Sequence, residues 1–277
     1  MKLFRSVSWR GWAVVTLALA LSQETRASLI VLSTPDAPLP ATSGNGLLGD
    51  YYRPTGGFQP GTIANAGAYI VSHTADATFV STGVDYAAGS TYGSGNSVGD
   101  GDSVSTYLGS DASSLAALPG SPSGETTSQI LANTLDGTMY VFSGFLAVTA
   151  AEVNTSQSFF LGSDDGSELD IQGQQVAIND GDHSFSFTGA NTVEFTQSGL
   201  YAIKLLYYED GGESGVELGS TLAGSGTFGQ ELTAANFYQS APATTSAPEP
   251  SSLMLTGIGV AVAGGFFRKS RQRTIRA

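Results

Sequence analysis

Cysteine is absent from this chain of 277 residues. That excludes a disulfide framework, a thiol nucleophile and a zinc–thiolate site. Charge is scarce at 13%, and positive charge scarcer still, with 11 Lys and Arg against 24 Asp and Glu. Away from the two ends only Arg53 and Lys204 are basic. An acidic body of this kind, with a formal net charge of −13, does not bind nucleic acid by neutralising phosphates; it favours solubility and the company of cations. Histidine is limited to His73 and His183. Both read as surface residues, and no serine-elbow motif accompanies them, so a nucleophilic triad has little footing. Amphipathic helical patterning is also sparse. With 36 glycines and many Ser, Thr and Ala residues, the composition favours short strands and turns.

What is present begins with strand patterning. Gly46 to Arg53, Ala68 to Ser72, Ala77 to Tyr86 and Met139 to Thr149 read as strands, the last interrupted at Gly144. The Gly/Ser-rich run from Ala87 to Ser103 reads as a surface loop. Val104 to Leu118 is the best helix candidate, with Ser110 or Asp111 as a cap. Along Gly199 to Leu218, the residues Tyr201, Ile203, Leu205 and Tyr207 share one face, while Ala202, Lys204, Leu206 and Tyr208 share the other. Both faces are largely apolar, so this is expected to be a central strand. Ala235 to Tyr238 could close the fold. About ten such strands between turn signals predict an all-β sandwich or barrel.

The stretch Gly162 to Gly173 concentrates the chemistry. Its pattern reads as strand, acidic turn, strand, glycine turn, strand, with Gly166 supplying a positive φ and Gly173 with Gln174 closing a second hairpin. Asp164 and Asp165 are adjacent carboxylates whose repulsion needs compensation. A hard cation such as calcium is one compensation; two solvated turn residues pointing apart are the alternative. Glu209 to Gly215 forms a second acidic, glycine-rich loop. Asp180 and Asp182 flank Gly181 and are explained by a hairpin turn, or as extra metal ligands. Paired carboxylates also serve glycoside hydrolysis, but adjacent residues do not readily flank one bond from opposite sides, so the chain is read as a non-enzyme.

The ends carry addresses. Residues 1–27 combine a basic start, an apolar core from Ala13 to Leu21 and a polar stretch ending at Ala27, and read as a secretory signal peptide. Residues 28–45 form a polar lead, and 240–247 a flexible linker. Pro248, Glu249 and Pro250 then precede an apolar span at 251–267 and a basic tail at 268–277. The span would rise about 25 Å as a helix, enough for a bilayer, with the basic cluster cytoplasmic. This tripartite end resembles the PEP-CTERM sorting signal of Gram-negative bacteria. The resemblance implies export, transient anchoring in the inner membrane, processing by signal peptidase and an exosortase, and delivery to the surface or the exopolysaccharide matrix.

Residues 46–239 resemble a PA14 domain. The resemblance is carried by GLLGDYY from Gly46, by FFLGSDDGSELDIQGQQVAINDG from Phe159 and by GLYAIKLLYYEDGGESGVEL from Gly199. It implies a two-sheet antiparallel β-sandwich. In the sugar-binding adhesins of that family an Asp–Asp pair joined by a cis peptide holds calcium, and the calcium holds sugar hydroxyls. Asp164 and Asp165 occupy that place, as metal ligands and sugar contacts. The counterpart of the second adhesin loop, by order along the chain, supplies Glu209, Asp210 and Glu213 as further sugar contacts. The implied cofactor is calcium and the implied partner a polysaccharide.

Overall fold

The computed structural model describes residues 29–86, 92–95, 97–188 and 191–241. The signal peptide, the sorting signal with its apolar span, and most of the linker lie outside these residues. Among the described residues no helix is long and apolar enough to cross a membrane.

The elements in chain order are β1 (Leu29–Leu32), β2 (Leu47–Tyr52), α1 (Ile63–Ser72), β3 (Ala77–Ser81), β4 (Asp85–Tyr86), β5 (Val98–Gly99), α2 (Val104–Leu108), β6 (Ala116–Ala117) and α3 (Thr127–Ala132). They continue with β7 (Thr138–Val148), β8 (Ser156–Asp164), β9 (Ser167–Ile171), β10 (Gln174–Asn179), β11 (Ser186–Thr188), β12 (Thr192–Phe195), β13 (Gly199–Glu209), β14 (Glu213–Ser220), β15 (Gln230–Glu231) and β16 (Phe237–Tyr238). Two sheets result. One has the order β1-β12-β8-β14-β15, with β11 beside β8 and β4 and β5 beside β14. The other runs β10-β9-β13-β7-β2-β3-β6, with β16 on β7. All strand pairs are antiparallel except β1 with β12. The expected sandwich is therefore present, and it draws in β1 from the stretch read as a lead segment.

Alternation sets the core. Phe159 and Leu161 of β8 and Val216 and Leu218 of β14 face Leu169 and Ile171 of β9, Tyr201, Ile203, Leu205 and Tyr207 of β13, and Tyr140 and Phe142 of β7. The opposite face of β13 is also covered: Leu206 and Tyr208 pack with Met139, Val141 and Tyr52 under Ile63 and Ala66 of α1. That double burial is why β13 reads as a central strand, and it lies between β9 and β7.

Several local expectations are corrected. Residues 68–72 are the end of α1, whose N-cap Thr62 accepts from the Asn65 amide. Capping and the buried Ile63–Ala66 face outweigh the strand preference of Ile70 and Val71. Ala77 to Tyr86 is two strands in different sheets. The helix expected over residues 104–118 is α2, capped by Ser103, followed by a 3-10 turn at Gly109–Ser114 that contains Ser110 and Asp111. The β9–β10 turn is made by Gln172 and Gly173, with φ of 51° and 69°, the type I′ geometry that matches strand twist. Ala234–Asn236 is a 3-10 turn ahead of β16.

Candidate metal centre

Two chain crossings build the site. The strands flanking Asp165 and Gly166 do not form the hairpin their alternation suggests. β8 belongs to one sheet and β9 to the other. Likewise β13 ends at Glu209 in the second sheet and β14 starts at Glu213 in the first. Because Gly215 of β14 pairs with Asp164, and Ser167 of β9 pairs with Tyr207 of β13, both crossings lie at the same end of the sandwich. Gly166 is not in the left-handed region. It is needed for space: a Cβ there would sit 2.2 Å from the Tyr208 ring. The peptide bond between Asp164 and Asp165 is cis.

Glu209 extends the inward series of Tyr201, Ile203, Leu205 and Tyr207, so register drives its carboxylate into the end of the core. It is fully buried, and Asp164 and Asp165 are 4% and 3% exposed. One carboxylate oxygen from each of the three lies within 4.8 Å of the others. Backbone amides orient them. Phe185 donates to Oδ2 of Asp164 at 3.0 Å. His183 and Asp210 donate to Oδ1 and Oδ2 of Asp165 at 2.8 and 3.0 Å. Gly211 donates to Oε1 of Glu209 at 2.8 Å. The Tyr207 hydroxyl lies 2.6 Å from the Asp164 carbonyl oxygen and 2.9 Å from Oε2 of Glu209, and accepts from the Gly215 amide at 3.2 Å. A carbonyl can only accept. The single hydroxyl proton is thus committed to Asp164, and the contact with Glu209 is best made when Glu209 itself carries a proton.

The electrostatics agree. Burial, and then the charge of Asp165, push the Glu209 carboxyl up to about 8. Burial and Asp165 raise Asp164 to about 6. Burial raises Asp165 as well. Among the described residues, no Lys or Arg is a leading cause of these three shifts; His183 lowers Asp164 and Asp165.

The residues fit a hard divalent cation. Calcium–oxygen bonds run about 2.3–2.6 Å, so ligands on opposite sides of one ion are about 5 Å apart, and the trio closes within that span. All its donors are oxygens, the preference of calcium over softer metals. Such an ion would offset the burial that raises all three carboxyls and the mutual repulsion that adds to it at Asp164 and Glu209.

The structure brings Asp164 and Asp165 together with Glu209, which had been expected only as a sugar contact on a loop. Asp210 and Glu213 stand outside the trio. The Asp210 carboxylate turns to the Gly61 amide through Oδ2 at 2.6 Å, while its Oδ1 is enclosed without a partner. Burial raises its pKa to about 6. Glu213 is exposed at the start of β14 and accepts from the Ser97 hydroxyl. Asp180 accepts from the Ile63 and Gly181 amides, and Asp182 from the Tyr208 hydroxyl at 3.2 Å. His73 is exposed as expected; His183 is half-buried, with its Nε2 enclosed and without a partner. The signal that would have found Glu209 is the period-two series ending on it.

The sandwich superposes on solved PA14 domains. The PA14 sugar-binding domain of an RTX adhesin matches with a TM-score of 0.55 at 21% identity, covering 71% of this chain and 99% of that one. The fold is that of a PA14 domain. The PA14 domain of the antifreeze protein MpAFP matches with a TM-score of 0.55 at 24% identity, over 76% of this chain and 98% of that one. No family model and no curated protein matches the sequence.

Proposed function

We propose that this chain is an exported surface or matrix protein that binds carbohydrate through calcium. The observation that carries the reading is the buried trio of Asp164, Asp165 and Glu209, oriented by backbone amides and with no Lys or Arg among the leading causes of its raised pKa values. When bound, calcium would supply open coordination positions for vicinal sugar hydroxyls. The chain's own part is to fix three carboxylates at the junction of the two crossings. Glu213, exposed at the start of β14, contacts the sugar beside them, whereas the carboxylate of Asp210 is turned to the Gly61 amide and enclosed. The likeness in fold to a PA14 domain described as sugar-binding supports the same reading. The carboxylates close on one another inside the sandwich end instead of flanking an open bond, which favours binding over hydrolysis.

The ends complete the proposal. Residues 1–27 direct export and are removed by signal peptidase. Residues 248–277 hold the precursor in the inner membrane through 251–267 until an exosortase acts near Pro248 to Pro250. The sandwich is then delivered to the exopolysaccharide layer. Calorimetric titration with calcium, followed by a glycan array with and without chelator, tests the core of this. Heat of calcium binding and chelator-sensitive glycan signals are expected; absence of both would sink it.

A second reading has its own observation. Four backbone amides from two segments, residues 183–185 and 210–211, end on the trio, so an ion there would also clip these segments to the crossings. A variant carrying Asp164→Ala and Asp165→Ala that loses thermal stability with no change in glycan binding favours a structural calcium clip in a matrix protein.

A further inference from the structure

A cleft of about 310 Å³ lies beside the second crossing, lined by Arg53, Pro54, Phe58, Gln59 and Asp136 among others. It is tied to the trio through one short stretch of chain. The side-chain amide of Gln59 donates to the Asp210 carbonyl at 2.7 Å, and the Gly61 amide donates to the Asp210 carboxylate at 2.6 Å. The amides of Asp210 and Gly211 end in turn on Asp165 and Glu209. Residues 210–211 therefore touch both the trio and the wall of the cleft.

Arg53 and Lys204 are the only Lys or Arg among the described residues. Lys204 stands opposite Asp170 in the pairing of β13 with β9 and acts on its carboxyl. Arg53 has no such partner. β2 buries Tyr51 and Tyr52, and the next residue, Arg53, lines the cleft. The Arg53 amide donates to Oδ2 of Asp76 at 2.8 Å, and the Ser123 amide donates to Oδ1 of the same residue at 2.8 Å. That buried acid is thus engaged by backbone at both oxygens. Asp136 turns its Oδ1 toward Gly211, 3.6 Å from where a Cβ there would stand. The guanidinium keeps one long contact, from Nη1 to the Thr134 carbonyl at 3.4 Å, and makes no ion pair among the described residues. Its charge reaches the hydroxyls of Tyr51 and Tyr140. Burial keeps both hydroxyls neutral, so they do not balance it.

Phe58 adds an aromatic wall. It stacks on Tyr69 with ring centroids 5.0 Å apart, and Tyr69 stacks on His73 at 3.8 Å. Held in this way, Phe58 remains 36% exposed. The pairing of a free guanidinium with an exposed ring matches a sugar that carries a carboxylate. The planar fork of Arg donates to two carboxylate oxygens at once, and the apolar C–H face of a pyranose covers an aromatic ring. The acidic body does not forbid this local pairing, because exposed charges more than about 8 Å away are largely screened at physiological ionic strength.

Resting on the calcium-dependent carbohydrate reading, we infer that this cleft takes a uronic acid unit of the bound polysaccharide, with Arg53 on its carboxylate and Phe58 against its ring. The chain's preference is then for an acidic glycan over a neutral one of the same hydroxyl pattern.

The test is calorimetry in saturating calcium at neutral pH, with a galacturonic acid trimer and its fully methyl-esterified counterpart, which keeps the hydroxyls and loses the charge. Titration of each probe into calcium alone is the blank. The acid is expected to bind about tenfold tighter or more. Arg53→Gln should remove most of that advantage, Arg53→Lys should keep only part of it, and Phe58→Ala should weaken both probes. Lys204→Gln removes the same charge elsewhere and should change neither. Equal binding of the two probes overturns the inference and leaves the carbohydrate reading standing; binding of neither overturns both. An advantage that survives Arg53→Gln, or that Lys204→Gln removes equally, overturns the inference as well. If Arg53→Gln does not fold, Arg53→Lys decides, and a probe ratio unchanged from wild type refutes the role of the guanidinium. Displacement of the acid trimer by sodium sulfate at the probe's own concentration would assign Arg53 to any small anion and overturn the sugar.

Discussion

Glu209→Gln separates the charge of the trio from its shape. In the protonated state inferred for Glu209, Oε1 accepts from Gly211 and the proton on Oε2 meets the Tyr207 oxygen. Glutamine reproduces both contacts, with its carbonyl toward Gly211 and its amide N–H toward Tyr207. The folded pKa of Glu209 is raised from the ordinary 4.5 to about 8. The native state thus holds a proton that the unfolded chain has already lost. The stabilisation is complete below about 4.5 and is lost as pH rises through about 8. The ceiling is about 5 kcal/mol, and relaxation around a buried charge reduces it to about 2–3 kcal/mol. Gln does not titrate. Without divalent cations, Glu209→Gln should match wild type at pH 5 and melt higher at pH 8.5, by about 4–12 °C for a sandwich of this size. Calcium should close most of that gap. At a concentration about 100 times its Kd, calcium adds about 2.7 kcal/mol to the wild type, while the variant, one charge short, gains less than about 1 kcal/mol. Differential scanning fluorimetry across pH, with calcium and with chelator, reads all four conditions. A variant with the wild-type calcium shift, or one less stable than wild type at pH 8.5 without calcium, would refute the reasoning.

Other perturbations follow from the same geometry. Calcium affinity should climb from pH 5 to about 8 and then level off, because binding must displace protons from carboxyls whose values are raised to about 6 for Asp164 and about 8 for Glu209; a pH series of calorimetric titrations checks this. Tyr207→Phe strands the Gly215 amide and the Asp164 carbonyl in a buried site, and should cost about 1–3 kcal/mol by urea denaturation. Gly166→Ala forces a methyl group against the Tyr208 ring. Its expected cost is about 1–3 kcal/mol with a reduced calcium shift, whereas Gly173→Ala, in open space at φ 69°, should lower stability by about 1 kcal/mol and leave the calcium shift intact.

Legibility differed from element to element. β13 was readable because its two faces are buried against different partners, and nothing but apolar alternation is needed to see that. The second hairpin, β9 to β10, was readable from its glycine turn, displaced by one residue. The two crossings were not. Local alternation fixes which face of a strand is buried, but not which sheet the next strand joins. Asp164 to Ser167 therefore looked like a hairpin, and Glu209 looked like a loop residue free to meet a sugar. α1 was hidden by Tyr69, Ile70 and Val71, residues that favour strands by composition and are helical here because Thr62 caps the start and Ala66 packs against β13. The partnership of Glu209 with Asp165, 44 positions apart, is a property of pairing between β9 and β13 and of no local motif.

The hydrogen bonds into the trio also bear on what an ion would do there. Asp165 is held through both oxygens, by His183 before β11 and by Asp210 in the second crossing. Glu209 is held by Gly211 and Tyr207, and Asp164 by Phe185. These bonds let the backbone place the carboxylates independently of any ion they would hold. A preformed site loses little conformational freedom when it binds. Chelation should therefore lower the melting temperature and leave near-ultraviolet circular dichroism from the surrounding Tyr207 and Tyr208 close to unchanged at 25 °C. A collapse of that signal on chelation would mean that the ion assembles the crossings, the behaviour of a clip. Retention of the signal would leave the ion's outward coordination positions as its main contribution, which is what a carbohydrate-binding site requires.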